Sequence, residues 1–177
     1  MHFYPAFLDP QECGQLRELI DAHAHPAMLD TGGRDYRKAS SADLNQLNHP
    51  LVSAVEHRIA NLLKISHERC EGLQGQRYEP GEYYRPHWDA FHAGTLEHQL
   101  HVTARGQRTW TAMAYLNDVR DGGETIFPEL SAGVTPRAGL LLMWHNLGDE
   151  ERPHPLALHG SVPVMHGSKY IVTAWFR

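Results

Sequence analysis

Lys169-Tyr170-Ile171-Val172-Thr173-Ala174-Trp175-Phe176, close to the end of the 177-residue chain, is rich in branched and aromatic side chains and has no glycine or proline. That composition suits a β-strand. Side chains alternate across a strand, so Lys169, Ile171, Thr173 and Trp175 share one face. Shorter runs of the same texture precede it at residues 74–78, 83–89, 108–117 and 139–146, with Gly and Pro between them. Several short strands at such spacing indicate a β-sandwich or barrel. The pattern starts only after Cys70. Upstream, Asp9-Pro10-Gln11-Glu12 supplies a helix cap, a proline at the first helical position and a glutamate at the third. Leu16, Leu19 and Ile20 follow at helical spacing. Pro50 opens a second helix, with Val52, Val55, Ile59, Leu62 and Leu63 as its apolar stripe. The intervening residues 29–49 are polar, contain Gly32-Gly33 and Ser40-Ser41, and read as a long loop able to act as a lid. The expectation is one domain over 1–177, mainly β with N-terminal helices: a helical support over about 1–70 and a β-core over about 72–177.

The composition sets outer limits on function. Apolar residues at 41% and charged residues at 21% are an ordinary globular balance, and the net charge of −5 gives no global attraction to nucleic acid or an anionic membrane. Neither kind of partner is expected. Cys13 and Cys70 are isolated, without the spacing of a disulfide framework or a zinc ribbon. The first residues have neither a basic nor an apolar signal region, and no apolar run reaches membrane-spanning length. A soluble, reducing, cytoplasmic setting is expected, with the oligomeric state left open.

His87-Trp88-Asp89 carries the chemistry. In a strand, residues two apart point the same way, so this imidazole and carboxylate project into one space. It is the only H-x-[DE] in a chain with fourteen histidines. A third ligand from a distant strand would complete a two-histidine, one-carboxylate triad, which suits non-haem Fe(II) and leaves coordination positions open. His145, His154, His159 and His166 are the downstream candidates. Of these, His159 lies in Leu158-His159-Gly160-Ser161-Val162-Pro163-Val164, ten residues before Lys169. Lysines are few here, Lys38, Lys64 and Lys169, and a strand-borne lysine ordinarily reaches solvent. Beside a metal triad that ordinary reading is no longer the favoured one.

From about Gly72 to Arg177 the chain resembles the prolyl 4-hydroxylase family of 2-oxoglutarate oxygenases. The matching stretches are Gln76-Arg77-Tyr78 with Gly81, His87-x-Asp89, Arg108-x-x-Thr111-x-x-x-Tyr115-Leu116, Gly122-Gly123-x-Thr125-x-Phe127-Pro128, Pro136-x-x-Gly139, and His159-x-x-x-Pro163-Val164-x-x-Gly167-x-Lys169 with Trp175. Together, in this order, they are specific. The resemblance implies a double-stranded β-helix (jelly roll). It implies Fe(II) on His87, Asp89 and His159, and the distal carboxylate of 2-oxoglutarate on Lys169. Tyr78 and Thr111 match positions that hydrogen-bond this cosubstrate, and Trp175 matches an aromatic position lining the iron pocket. Dioxygen is the second cosubstrate and ascorbate a candidate reductant. The formal charges of Fe(II), Asp89, 2-oxoglutarate and Lys169 sum to zero, as a buried site requires.

The implied reaction couples oxidative decarboxylation of 2-oxoglutarate to hydroxylation of an unactivated C–H bond. Related halogenases lack the carboxylate ligand, so Asp89 favours hydroxylation. Three substrate readings follow: a prolyl-type hydroxylase of peptide or protein, a hydroxylase of a free amino acid or small metabolite, and a cupin-like metal-binding protein without turnover. Tyr83 and Arg85, on the expected face of His87, and Arg105, in the expected loop before the Arg108 strand, are the candidate substrate contacts.

Overall fold

Asp9 closes the N-terminus of the first helix, α1 (Pro10–His23), by a reciprocal capping box: its side chain accepts from Glu12 N at 2.8 Å, and the Glu12 carboxylate accepts from Asp9 N at 3.0 Å. The second helix, α2 (Pro50–Leu63), starts at a proline and is capped by His49, whose Nδ1 accepts from Leu51 N. Leu16 and Ile20 of α1 and Val52, Val55 and Ile59 of α2 are buried, as their spacing predicts; Leu62 is the exception and stays exposed. A third helix, α3 (Leu96–Arg105), occupies part of a stretch expected to be loop. Its local signals are a Thr95 cap accepting from His98 N and a terminating Gly106 with positive φ. Arg105 is therefore the last helical residue and does not sit in a loop.

The computed structural model describes residues 1–27 and 36–177. Its strands, in chain order, are β1 (His2–Tyr4), β2 (His25–Pro26), β3 (Ser40–Asp43), β4 (Cys70–Tyr78), β5 (Tyr84–His87), β6 (Trp110–Tyr115), β7 (Thr125–Phe127), β8 (Ala132–Val134), β9 (Leu141–His145), β10 (His159–Ser161) and β11 (Lys169–Phe176). They form a seven-stranded sheet, β1-β9-β6-β11-β4-β3-β2, and a four-stranded sheet, β5-β10-β7-β8. The pairings within both are antiparallel. This is the jelly roll the sequence led us to expect. The 29–49 segment is not loop throughout. Ser40-Ser41-Ala42-Asp43 has weak strand propensity but completes the hydrogen bonding at the edge of β4, with Ser41 opposite Gln76. Of the expected lid, residues 29–35 lie outside the described residues.

The two faces of the large sheet bury different things. On one, Val172, Ala174 and Phe176 of β11 pack with Ala112 and Ala114 of β6 against Leu16, Ile20, Val55 and Ile59 of the helices. On the other, Tyr78, Met113, Leu142, Trp144 and Ile171 meet Phe127 and Val164 from the small-sheet side. The helices thus brace the outer face of the large sheet, and the inner face is left to form a cavity with the small sheet. Gly122 and Gly123, both with positive φ, turn the chain before β7. A Cβ on Gly122 would sit 2.2 Å from the Pro163 carbonyl oxygen, so only glycine fits this turn.

Candidate active site

β5 and β10 are antiparallel neighbours in which His87 and His159 stand opposite one another. Asp89 lies just beyond the end of β5. Asp89 Oδ1 is 3.7 Å from His87 Nε2, and Oδ2 is 3.6 Å from His159 Nε2. One ligand atom from each of the three residues falls within a 4.8 Å span, the only such grouping of three among the described residues. The imidazoles are oriented by backbone. His87 Nδ1 lies 2.9 Å from the Arg85 carbonyl oxygen and His159 Nδ1 3.0 Å from that of Ala157. A carbonyl can only accept, so each Nδ1 carries a hydrogen, which leaves Nε2 as the ring atom that faces Asp89 and can ligate. The Tyr84 ring stacks on His87 at 3.6 Å and the Trp144 ring meets His159 at 4.7 Å, fixing both rings from the side.

Burial, followed by the neighbouring His159, pushes His87 well down, so its ring is neutral and able to ligate. Burial alone would raise the Asp89 carboxyl, but the two imidazoles, Arg108 and the Thr111 hydroxyl outweigh it and hold the group ionised. The Thr111 contact is direct. Its Oγ1 donates to Asp89 Oδ2 at 2.7 Å and accepts from Asn146 Nδ2 at 2.8 Å, all three side chains being buried. Asn146, from the segment after β9, has no distinguishing sequence context, and only the fold brings it here. The remaining candidate ligands lie elsewhere. His145 is exposed, with Nδ1 on the Leu147 carbonyl. His154 caps a short 3-10 turn, and His166 is an exposed partner of Asp121.

On the facing sheet, Lys169 is 1% exposed. Its Nζ donates to Ser161 Oγ at 2.8 Å and lies over the Tyr78 ring at 5.0 Å. No carboxylate among the described residues forms an ion pair with it. Burial pushes its amine down to about 7, against a smaller opposing pull from Glu124. Tyr78, fully buried beside it, donates its hydroxyl to Gln76 Oε1 at 2.9 Å. Thr125 shares the compartment, its Oγ1 2.7 Å from the Tyr115 hydroxyl. Ser161, Thr125 and Gln76 are cavity residues that sequence reasoning did not single out. Gln76 and Thr125 stood in quoted motifs and Ser161 two residues after His159, so a signal was present for all three.

A single cavity of about 840 Å³ joins these groups. Lys169, Ile171, Thr173 and Trp175 all line it, as the alternation of β11 requires. Arg105 lines it too, from the end of α3. Tyr83 and Arg85 do not; Tyr84 occupies the face of His87 instead. The reason is an irregularity. His159 pairs with His87 but Ser161 pairs with Tyr84, so β5 carries one residue more than β10 across this interval. A bulge shifts every side chain beyond it to the other face. The cavity wall also holds a basic cluster. Glu71 accepts from Arg108 Nε at 2.7 Å and Nη2 at 2.8 Å, and Arg177 Nε lies 2.7 Å from the same carboxylate. The Trp175 ring lies under Arg108 at 4.3 Å.

The donor set fits Fe(II): two imidazoles whose Nε2 atoms converge, and one ionised carboxylate. The second compartment fits a dicarboxylate, because it presents a buried amine with no ion-pair partner among the described residues.

Residues 73–177, which include the triad and Lys169, match the 2OG-Fe(II) oxygenase superfamily. Across 98% of its length the chain is 32% identical to probable prolyl 4-hydroxylase 8 of Arabidopsis thaliana, covering 67% of that protein. It is 30% identical to probable prolyl 4-hydroxylase 4 of the same plant, covering 66%. The chain thus spans about two thirds of the length of these curated relatives. Among solved structures, it superposes on the viral collagen prolyl hydroxylase of Paramecium Bursaria Chlorella virus-1, a 2OG complex, with a TM-score of 0.77 at 23% identity, covering 98% of this chain and 93% of that one. A Pseudomonas putida prolyl-4-hydroxylase gives 0.71 at 20% identity, covering 99% and 91%. These structural likenesses establish the fold. The sequence match runs over more than half of the chain and takes in the small sheet, the central strands of the large one and the triad, so the chain belongs to the 2OG-Fe(II) oxygenase superfamily.

Proposed function

We propose that this protein is an Fe(II)- and 2-oxoglutarate-dependent hydroxylase of the prolyl 4-hydroxylase type, acting on a peptide or protein within a single domain. The observation that carries this reading is one cavity that holds both an iron donor set and a buried lysine with no ion-pair partner among the described residues. A plain metal-binding protein has no use for the second feature. His87, Asp89 and His159 hold the iron. Lys169 takes the distal carboxylate of 2-oxoglutarate, with Ser161 as its present partner, and Tyr78 offers its hydroxyl to the same cosubstrate. Trp175 walls the cavity. Thr111, implied by resemblance as a cosubstrate contact, serves the site through Asp89 in this geometry. Arg105 faces the substrate from α3. Bound iron with 2-oxoglutarate and dioxygen supplies the oxidising chemistry, giving succinate, carbon dioxide and a hydroxylated product. The chain itself orients the ligands and fixes their protonation. Its apolar walls, Met113, Ile171 and Trp144, keep water from the reacting atoms.

No helix among the described residues is long and apolar enough to cross a membrane. Both cysteines are free, which agrees with a reducing, cytoplasmic setting. The test is anaerobic titration of 2-oxoglutarate into Fe(II)-loaded protein, following the metal-to-ligand absorption band. One iron per chain and a saturable band are expected. Iron loading without a band would return the protein to the metal-binding reading.

A further inference from the structure

The cavity is electrically unlike the rest of the molecule. Among the described residues lining it, Arg37, Arg105, Arg108, Lys169 and Arg177 are basic, and Glu71 and Asp89 are acidic. Five positive less two negative side chains leave three positive charges, in a chain whose formal net charge is −5. Iron and a 2-oxoglutarate dianion cancel each other, so loading the site does not remove this excess. Glu71 balances only one of the two arginines it holds. Arg105 has no ion-pair partner among the described residues.

Arg37 is the most informative of the set. Its guanidinium lies over the Tyr84 ring at 4.9 Å, and Tyr84 in turn stacks on the iron-ligand candidate His87. Arg37 also reaches the Tyr78 hydroxyl. Its Nε and Nη2 are buried without a hydrogen-bond partner, and no carboxylate among the described residues pairs with it. Unpaired buried donors are costly, and the Nε–Nη2 edge of a guanidinium can grip a carboxylate with two parallel hydrogen bonds.

From this geometry we infer that the substrate carries a carboxylate close to the carbon to be hydroxylated, and that Arg37 receives it, with Arg105 adding attraction at the mouth. This rests on the hydroxylase reading above. The group can come from an acidic residue flanking the target in a peptide, or from the carboxylate of a free amino acid. Arg37 and Arg105 lie in segments distant in sequence, and neither is tied down by an acidic partner as Arg108 is. They discriminate among substrates through charge, and they leave the iron ligands untouched.

The experiment uses whole protein loaded with Mn(II) and 2-oxoglutarate, which binds ligand without turnover. Two matched pairs are titrated calorimetrically: a short proline peptide with flanking Glu against the same peptide with Gln, and free L-proline against L-prolinamide. The peptide pair and the amino-acid pair separate the two sources of carboxylate. The acidic member of at least one pair should bind roughly tenfold tighter or more, the scale of a charge-assisted hydrogen bond, and the preference should shrink with added salt. Arg37→Gln should abolish the preference, and Arg37→Glu should reverse it in favour of a Lys-flanked peptide. The 2-oxoglutarate band of the Fe(II) form is recorded for each variant as the check on folding and loading. Equal binding of acidic and neutral members, or no binding of any, overturns the inference while an intact band leaves the hydroxylase reading standing. A preference that survives Arg37→Gln overturns the assignment to this residue. So does an Arg37→Gln variant that loses 2-oxoglutarate affinity instead, since its guanidinium would then serve the cosubstrate. Absence of the band in wild type is the separate failure of the oxygenase reading.

Discussion

The two faces of β11 are one stretch of chain under opposite demands. Val172, Ala174 and Phe176 look toward the helices and are packed wholly against apolar side chains. Lys169, Ile171, Thr173 and Trp175 look into the cavity, where the first is a charged group taken out of water. The outer face obtains its stability from burial of apolar surface. The inner face keeps a group that disfavours the ligand-free fold and becomes satisfied only when an anion arrives. The difference teaches where to look for function in a core: at the polar residue that packing alone would not select.

Lys169→Ala and Phe176→Ala should split this contrast most widely. Losing one partner of a buried charged pair costs about 3–5 kcal/mol, which is roughly two to four orders of magnitude in 2-oxoglutarate affinity. Lys169→Ala should show that loss in the anaerobic titration while retaining iron. Phe176→Ala should lose about 3–5 kcal/mol of unfolding free energy, with cosubstrate affinity of the folded fraction little changed. If both variants moved both quantities together, the two faces would not be independent.

Thr111→Val should have the next largest effect. It removes the hydroxyl between Asn146 and Asp89 without leaving a void. Outer-shell partners of this kind are worth roughly 10–100-fold in metal affinity, measurable with Mn(II) by electron paramagnetic resonance. Unchanged affinity would show that Asp89 is held well enough by its backbone.

The depressed Lys169 amine sharpens the contrast by pH. Its folded pKa, about 7, lies below its ordinary 10.5, so the unfolded chain binds more protons between these values. Ligand-free stability should therefore gain from this residue as pH rises through that window, and Lys169→Met should lack the gain. Cosubstrate binding has the opposite sign. The carboxylate needs the ammonium form, so affinity should fall above pH 7 by up to about tenfold per pH unit. A flat affinity from pH 7 to 9 would show that Lys169 stays charged in the empty site. The smallest effect is expected at His166, exposed and paired only with Asp121. His166→Ala should leave metal affinity within a few-fold of wild type, and loss of iron there would remove His159 from the triad.

Much of this was legible in the sequence because it is local. Strand alternation placed four residues of β11 on the cavity wall. Helical spacing selected the buried stripes, and His87-x-Asp89 paired two ligands across a single intervening residue, although Asp89 lies just past the end of β5. Other features are decided by contacts that sequence cannot rank. The bulge opposite β10 exchanges Tyr83 and Arg85 for Tyr84, because a single extra residue inverts a strand's faces. Ser40–Asp43 is strand because β4 offers it hydrogen bonds, against its own propensity. The family resemblance singled out His159 from His145, His154 and His166, but the physical reason, that it stands opposite His87, is a matter of strand pairing. Asn146 on Thr111, and Arg37 above Tyr84 without a carboxylate partner among the described residues, arise from segments far apart in the chain. Periodicity is a property of neighbours in sequence, whereas coordination and charge compensation are properties of neighbours in space, so the first could be read from the residues and the second only from the fold.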